Sequence, residues 1–402
     1  MNGDSVTPVR QASVRAHNLA LVLRQVAAAT RPPSRADVAA ATGLTRATVS
    51  ALVDDLVTGG LITEVGPAPR AGAGRPAVGL VISGYGPAGL GLEVNVDCLA
   101  ACVVDLTGKV RERTLVHGDQ RARSPTAVLA AVADLGAALR AEAAGEGLTV
   151  VGAALAVPGL VAPDGRIHRA PNLSWHDVDA PAALAASGLR DLPVTIDNEA
   201  NLAALAELHA DGAGLDSFVY VSGEIGIGAG IVLDRTLFRG ARGWSGELGH
   251  VCVRPDGPRC RCGARGCLEQ YAGQEALLRG LGPGEAGLAG LAGPMSRAAF
   301  DDLAAQAALL EAGTSLGVAL AGMVNTLDVD TIVLGGIFSP LAPWLMPAVE
   351  AELTTRVLTA SWSPVRVRPS TLGPAAAALG AAGAVTRTVL DDPATWLRTP
   401  PR

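Results

Sequence analysis

Between Trp244 and Gln270 the chain reads WSGELGHVCVRPDGPRCRCGARGCLEQ, and this stretch restricts the possible structures most tightly. Cys260, Cys262 and Cys267 share one short Arg-rich segment, and His250 precedes them after an apparent strand. Gly257, Pro258, Gly263 and Gly266 leave the loop little apolar side chain with which to hold its own shape. Something else must fix it. Three thiolates and one imidazole suit tetrahedral Zn²⁺, and four protein ligands mark a structural rather than a catalytic site. The alternative is a disulfide with a spare thiol, but a Cys-x-Cys pair bridges poorly and neither a signal peptide nor an even disulfide pattern points to an oxidising compartment. The expected metal ligands are therefore His250, Cys260, Cys262 and Cys267.

Glu247 and Glu269 flank this loop. Carboxylates there can orient the metal ligands, or face a cleft and accept hydrogen bonds from a polyhydroxylated ligand. The full pattern, GELGHVxVxPDGPxCxCGxxGCLE, resembles the signature of the ROK family (repressor, open reading frame, kinase). That resemblance implies a zinc loop, and implies that Glu247, His250 and Glu269 touch a sugar.

A chain of 402 residues fits two or three domains, and 49% apolar residues with only 3% aromatic supply a large aliphatic core. The longest apolar runs are broken well short of the ~18 residues that span a bilayer, and the N-terminal MNGDSVTPVRQ lacks a signal-peptide core. A cytoplasmic protein with no membrane partner is expected. The net charge of −6 is unevenly spread: residues 1–80 hold eight Arg and five acids, a balance of +3, which leaves −9 for the rest. A basic head on an acidic body suggests that only the head meets a polyanion.

Within residues 1–83, Leu19, Val22, Leu23 and Val26 repeat with helical spacing up to Arg31-Pro32-Pro33. Ser34 and Asp37 form a capping box for a second helix that stops at Gly43, and Thr45 caps a third whose buried face is Val49, Leu52, Val53 and Leu56. Two short strands follow, Leu61–Val65 and Val78–Ile82, with a Gly- and Arg-rich tip between them. Three helices and a hairpin make a winged helix-turn-helix. Its third helix would turn Thr45, Arg46, Thr48 and Ser50 toward the major groove of double-stranded operator DNA, and its wing would bring Arg70 and Arg75 to phosphates or the minor groove. A plain three-helix interaction module is the blander reading. Asp54 and Asp55 count mildly against a basic reading face, though they lie at the far end of the helix.

After a linker at Ser83–Pro87, residues 87–402 twice read as three strands followed by helices: Leu90–Val96, Leu99–Asp105 and Val110–Val116, then Phe218–Ser222, Ile227–Leu233 and Thr236–Phe238. This duplication in an α/β chain suggests two similar lobes around a cleft, about 87–196 plus a C-terminal return and about 197–375. It resembles the two-lobed actin-like (ribonuclease H-like) sugar kinase fold that the ROK family implies. Between the lobes lie Gly159, Asn172 and the run Thr195-Ile196-Asp197-Asn198-Glu199-Ala200-Asn201. Asn198 or Asp197 can simply cap the next helix. The family places an Asn-Asp pair there that binds sugar and, in its kinases, supplies the general base; Asn198 matches the Asn, whereas Glu199 stands in for the Asp with one methylene more.

The family's kinases open their first strand pair with Asp-x-Gly-Gly-Thr, where this chain has Glu93-Val94-Asn95-Val96-Asp97. The second phosphate loop carries Glu224 and Ile225 where those kinases carry Gly-Thr, while Gly335-Gly336 persists. Backbone N–H groups on Gly-rich turns are what position nucleotide phosphates, so two altered loops argue against phosphoryl transfer. The expectation is a non-enzymatic, sugar-responsive transcriptional regulator, a homodimer or dimer of dimers, that binds a monosaccharide or sugar derivative. An active ATP-dependent kinase with a DNA-binding head, or a regulator controlled by a protein partner, are the alternatives.

Overall fold

The computed structural model describes residues 11–66, 78–210, 214–281 and 303–398. Its first three helices are α1 (Gln11–Ala27), α2 (Arg35–Thr42) and α3 (Arg46–Thr58), and β1 (Ile62–Val65) pairs antiparallel with β2 (Gly79–Ile82). The local signals act as their chemistry demands. Ser34 and Asp37 close a reciprocal capping box on α2, Gly43 ends it in the left-handed region at φ 72°, and the Thr45 side chain accepts from the Thr48 N–H. The wing tip, with Arg70 and Arg75, lies outside the described residues.

The first body sheet comprises β3 (Gly86–Val94), β4 (Cys98–Asp105), β5 (Val110–His117), β6 (Leu148–Val157) and β10 (Val194–Asn198), in the order β5-β4-β3-β6-β10. Helix α4 (Pro125–Gly145) separates β5 from β6; β7 (Leu160–Val161), β8 (Ile167–Ala170) and β9 (Trp175–Val178) form a small sheet of their own, and α5 (Ala180–Ala185) leads to β10. Helix α6 (Glu199–His209) follows directly. The second sheet has β11 (Phe218–Gly223), β12 (Ile227–Leu233), β13 (Thr236–Leu237), β14 (Thr331–Gly336) and β15 (Arg366–Pro369), in the order β13-β12-β11-β14-β15. Both sheets follow one plan: an antiparallel three-strand meander with two parallel strands added beyond its first strand. This is the two-lobed actin-like architecture.

The first strand starts earlier than its apolar run suggests. Ser83 N donates to Leu61 O (3.0 Å) and Gly86 N to Gly147 O (3.2 Å), so the expected linker is tied down and Gly86 and Pro87 already pair with β6. The strand also ends sooner, because Asn95 N donates to Cys98 O and turns the chain.

Further helices are α7 (Glu269–Ala272), α8 (Gln274–Leu281), α9 (Leu303–Leu327), α10 (Phe338–Arg356), α11 (Ala376–Asp391) and α12 (Pro393–Arg398). By length and composition α9 is apolar enough to cross a membrane, yet it carries Leu309, Ala312, Leu316 and Leu320 into the core of the second lobe. Val128, Leu129 and Val132 of α4 cover one face of the first sheet. The other face takes α11 at close range: a Cβ on Gly91 would stand 2.0 Å from Ala378 O. Helix α6 packs along α11 just as closely, since a Cβ on Gly380 would lie 1.8 Å from Leu202 O.

The head is joined to this body by a common core. Leu19, Leu23, Leu52 and Leu56 pack in one cluster with Leu106, Val389, Leu390 and Ala394. Trp396 Nε1 donates to Gly59 O at 2.8 Å, and the Leu397 side chain fills the space beside Gly59.

Candidate functional site

The donor atoms of His250, Cys260, Cys262 and Cys267 all lie within 4.8 Å of one another. Cys262 Sγ and Cys267 Sγ are 3.7 Å apart, as are Cys260 Sγ and His250 Nδ1. A tetrahedral centre with metal–sulfur bonds of about 2.3 Å has sulfur–sulfur edges of about 3.8 Å, so the four side chains fit one metal ion. Burial, followed by the neighbouring sulfurs, pushes the Cys267 thiol up to about 12. A bound cation would reverse that penalty by favouring thiolate. All six cysteines are free, and Cys252 stands outside the cluster, exposed.

The same loop forms one wall of the interlobe cleft. Two glycines press its Glu-Leu-Gly-His turn onto β12: a Cβ on Gly246 would meet Ala229 O at 1.8 Å, and one on Gly249 would meet Ile227 O at 2.5 Å. This fixes Glu247, whose Oε2 is 4.0 Å from His250 Nε2. His250 thus turns Nδ1 to the sulfurs and Nε2 toward Glu247. Glu269 begins α7 and accepts from the Ile227 N–H. Burial, ahead of the nearby charges, raises the pKa of both Glu247 and Glu269. Asn172, in a 3-10 turn at Pro171–Leu173, reaches across to Glu269: Asn172 Nδ2 and Glu269 Oε2 stand 2.6 and 2.7 Å from where a Gly226 Cβ would be.

The opposite wall is the β10–α6 junction. Asn198 Oδ1 caps α6 by accepting from Ala200 N (2.8 Å) and Asn201 N (3.4 Å), while its Nδ2 donates to Gly159 O (3.0 Å). Capping and a place in the cleft are therefore compatible for this one side chain. Gly159 has φ 116°, and a Cβ there would lie 2.3 Å from Arg169 O, so only glycine brings its carbonyl to Asn198. Glu199 follows at the first position of α6. Its Oε2 is sealed from solvent with no hydrogen-bond partner; burial, then the charges of Glu93, Glu247 and Asp97, push it up to about 8.

The structure alters the expectation for the phosphate loops at two points. Val96 lies in the first lobe's core and is 1% exposed, so it does not stand over the cleft; Asn95 makes the turn instead, its Oδ1 accepting from Val96 N at 2.7 Å. Gly335-Gly336 is not open either. Glu224 Oε1 stands 2.7 Å from where a Gly336 Cβ would be, so a carboxylate of the chain itself fills that turn.

On the head, Thr45 and Thr48 hydroxyls pair at 2.9 Å across the start of α3, Arg46 is exposed, and Ser50 is half-buried. The two acids of α3 are answered from within the head: Arg35 binds Asp54 at 2.8 Å and Glu64 at 2.8 Å, and Arg15 pairs with Asp55.

Some residues escaped the sequence reading. Arg239 NH1 donates to Asp197 Oδ2 at 2.5 Å, and Asn201 Nδ2 to Asp197 Oδ1 at 3.0 Å, which ties the metal-loop side of the cleft to the β10–α6 junction. Trp244 meets His168 edge-on with centroids 5.4 Å apart, and its Nε1 is buried without a partner. The acidic Asp197 beside Asn198 was the available signal for the first; nothing in the local sequence indicated Arg239.

Comparison with known proteins places these features. Residues 89–388 match the model of the ROK family, and residues 17–66 that of the IclR helix-turn-helix domain. A xylose repressor of Bacillus subtilis is 30% identical over 382 residues, covering 95% of this chain and 98% of that protein. A solved ROK family transcriptional regulator, described as a homolog of the E. coli MLC protein, superposes with a TM-score of 0.79 at 25% identity, covering 96% of this chain and all of the other. A ROK family glucokinase from Streptomyces griseus, solved with glucose and AMPPNP, covers 74% of this chain and 98% of its own at 25% identity and a TM-score of 0.62. The chain belongs to the ROK family and carries an N-terminal helix-turn-helix head of the IclR type.

Proposed function

We propose that the chain is a sugar-responsive transcriptional repressor of carbohydrate-metabolism genes. The observation that carries this reading is the end-to-end match to a named xylose repressor, head and body together. In this reading the head binds double-stranded operator DNA through Thr45, Arg46, Thr48 and Ser50, with Arg70 and Arg75 on the wing. A monosaccharide occupies the cleft between Gly159, Asn172, Asn198 and Glu199 on one side and Glu247, His250 and Glu269 on the other. Aligned carboxylates and amides suit the hydroxyls of a sugar ring, and charged acceptors make the stronger hydrogen bonds. His250, Cys260, Cys262 and Cys267 hold a structural Zn²⁺ that keeps the metal-loop wall in shape. The assembly is a cytoplasmic homodimer or dimer of dimers, and sugar shifts it between arrangements with different affinity for the operator.

Phosphoryl transfer has no place in this scheme, because Glu224 fills the one Gly-Gly turn that the sequence leaves intact. The space a nucleotide phosphate would need there is already taken. The deciding experiment is a thermal-shift screen of the full chain against monosaccharides, xylose first, followed by operator binding with and without the best ligand. No ligand-dependent change in operator affinity would sink the sensor reading. Sugar phosphate made from ATP at anything near the roughly 1 to 100 s⁻¹ of kinases would replace it with an enzyme.

A further inference from the structure

Three acidic side chains from separate parts of the chain meet around one small cavity. Glu93, on β3 of the first sheet, is 4% exposed and accepts from Ala378 N of α11 at 3.2 Å. Glu199 opens α6, and Glu224 sits in the β11–β12 turn of the second sheet, against Gly336. Together with Tyr220 and Ser222 of β11 and Ala376 and Ala377 of α11, they line a cavity of about 10 Å³, room for about one water molecule. Ser222 is only 5% exposed, and Glu199 Oε2 is sealed from solvent.

Among the described residues no cation pairs with this concentration of acid. Glu224 faces Glu199 from α6 and Glu93 and Asp97 from the β3–β4 hairpin, with the Asn95 amide as its polar neighbour. Glu93 faces Asp97, Asn95 and the Ala378 N–H; Glu199 faces Glu93, Asp97 and, from the metal-loop wall, Glu247. Tyr220 and Cys98 lie beside the same charges. Among the described residues no Arg, Lys or His forms an ion pair with any of the three. Buried carboxylates that face one another cannot all ionise. Burial, ahead of these charges, pushes Glu93 up to about 7 and Glu199 up to about 8, and holds Glu224 well above the ordinary carboxylate range.

We propose that Glu93, Glu199 and Glu224 form a proton-linked latch between the lobes, which holds the cleft closed while protons are shared and favours its opening once all three are ionised. The geometry gives the direction: Glu93 belongs to the first sheet and Glu224 to the second, so their repulsion acts across the cleft. Each opening hydrates the carboxyls and releases protons to solvent, with no other chemistry. For carboxyls whose pKa is raised in the closed state, the closed form is most stable below the ordinary value near 4.5 and loses stability as pH rises through 7 to 8. The latch does not depend on whether the cleft takes a sugar.

The test uses the full chain without ligand. Thermal unfolding and backbone hydrogen exchange are measured from about pH 4.5 to about pH 9 for the wild type, Glu224→Gln and Glu93→Gln. The wild type should lose Tm toward high pH. Each glutamine variant should flatten that slope, matching the wild type near the low end and exceeding it by about 3 °C near the high end. Exchange at residues 223–228 and 376–378, corrected for its intrinsic pH dependence, should rise in the wild type alone. Parallel Tm profiles in all three proteins would overturn the latch. So would failure of either variant to fold, because glutamine is the neutral isostere of a carboxyl that the latch requires to be protonated.

Discussion

The two walls of the cleft are built by opposite means. On the metal-loop side, Glu247, His250 and Glu269 frame a loop, residues 257–266, with almost no apolar side chain; four metal-type donors converge there, and glycines of the preceding turn press against β12. On the β10–α6 side, Asn198 and Glu199 stand at the start of a helix wedged between α11 and the second sheet, with Ala203, Ala204 and Leu208 buried in apolar packing. With the proposed zinc in place, the first wall is fixed by coordination, and the second is fixed by close packing. A fault in the first should therefore stay local, whereas a fault in the second should travel along α11.

The strongest way to break this contrast is Cys262→Ser. It should abolish metal content as read by atomic emission, lower Tm by roughly 10 °C, and increase hydrogen exchange across residues 239–275 but not across β10 and α6. Retained metal with normal exchange would show that the loop holds itself. Gly380→Val attacks the other wall, since its side chain would collide with Leu202 O. A cost of about 1–3 kcal/mol is expected, with exchange changes in both α6 and the head and full metal content. Confinement of those changes to α11 would refute the coupling.

The carboxylates sharpen the comparison at the level of single atoms. Glu247→Gln should weaken sugar binding by roughly 10- to 100-fold at neutral pH, the scale of a lost charge-assisted hydrogen bond. Glu199 is pushed up to about 8, so near pH 6.5 it is largely a neutral acid. Glu199→Gln should then cost little near pH 6.5 and progressively more above pH 8, as the wild-type carboxyl ionises. Calorimetric titrations at both pH values check this; equal losses at both would refute the raised pKa. The smallest effect on either wall should come from the head: Arg46→Ala should reduce operator affinity by roughly 5- to 10-fold and leave sugar affinity unchanged.

The contrast between the walls also explains what the sequence could disclose. A coordination site must write its ligands into the chain at fixed spacings, so Cys260, Cys262, Cys267 and His250 were readable together with the Glu247 and Glu269 that frame them. Helix caps are equally local, which is why Ser34, Asp37, Gly43 and Thr45 marked the head. Packing is not local. Nothing near Leu202 announces Gly380, nothing near Asp197 announces Arg239, and the strand boundary at Gly86 depended on a carbonyl at Gly147. Val96 follows the same rule: the sequence shows it standing in an altered phosphate loop, and only the tertiary core shows where its side chain goes.

The cluster that joins Leu19, Leu23 and Leu56 to Val389, Leu390 and Ala394, with Trp396 bonded to Gly59, has a consequence for DNA recognition. A reading head on a loose tether samples a wide cone of orientations, and each encounter with DNA must remove that freedom again. Here the far end of the chain completes the interior of the head. Its angle to the body is set during folding, so the entropy of aiming the reading helix is largely spent before any operator is met.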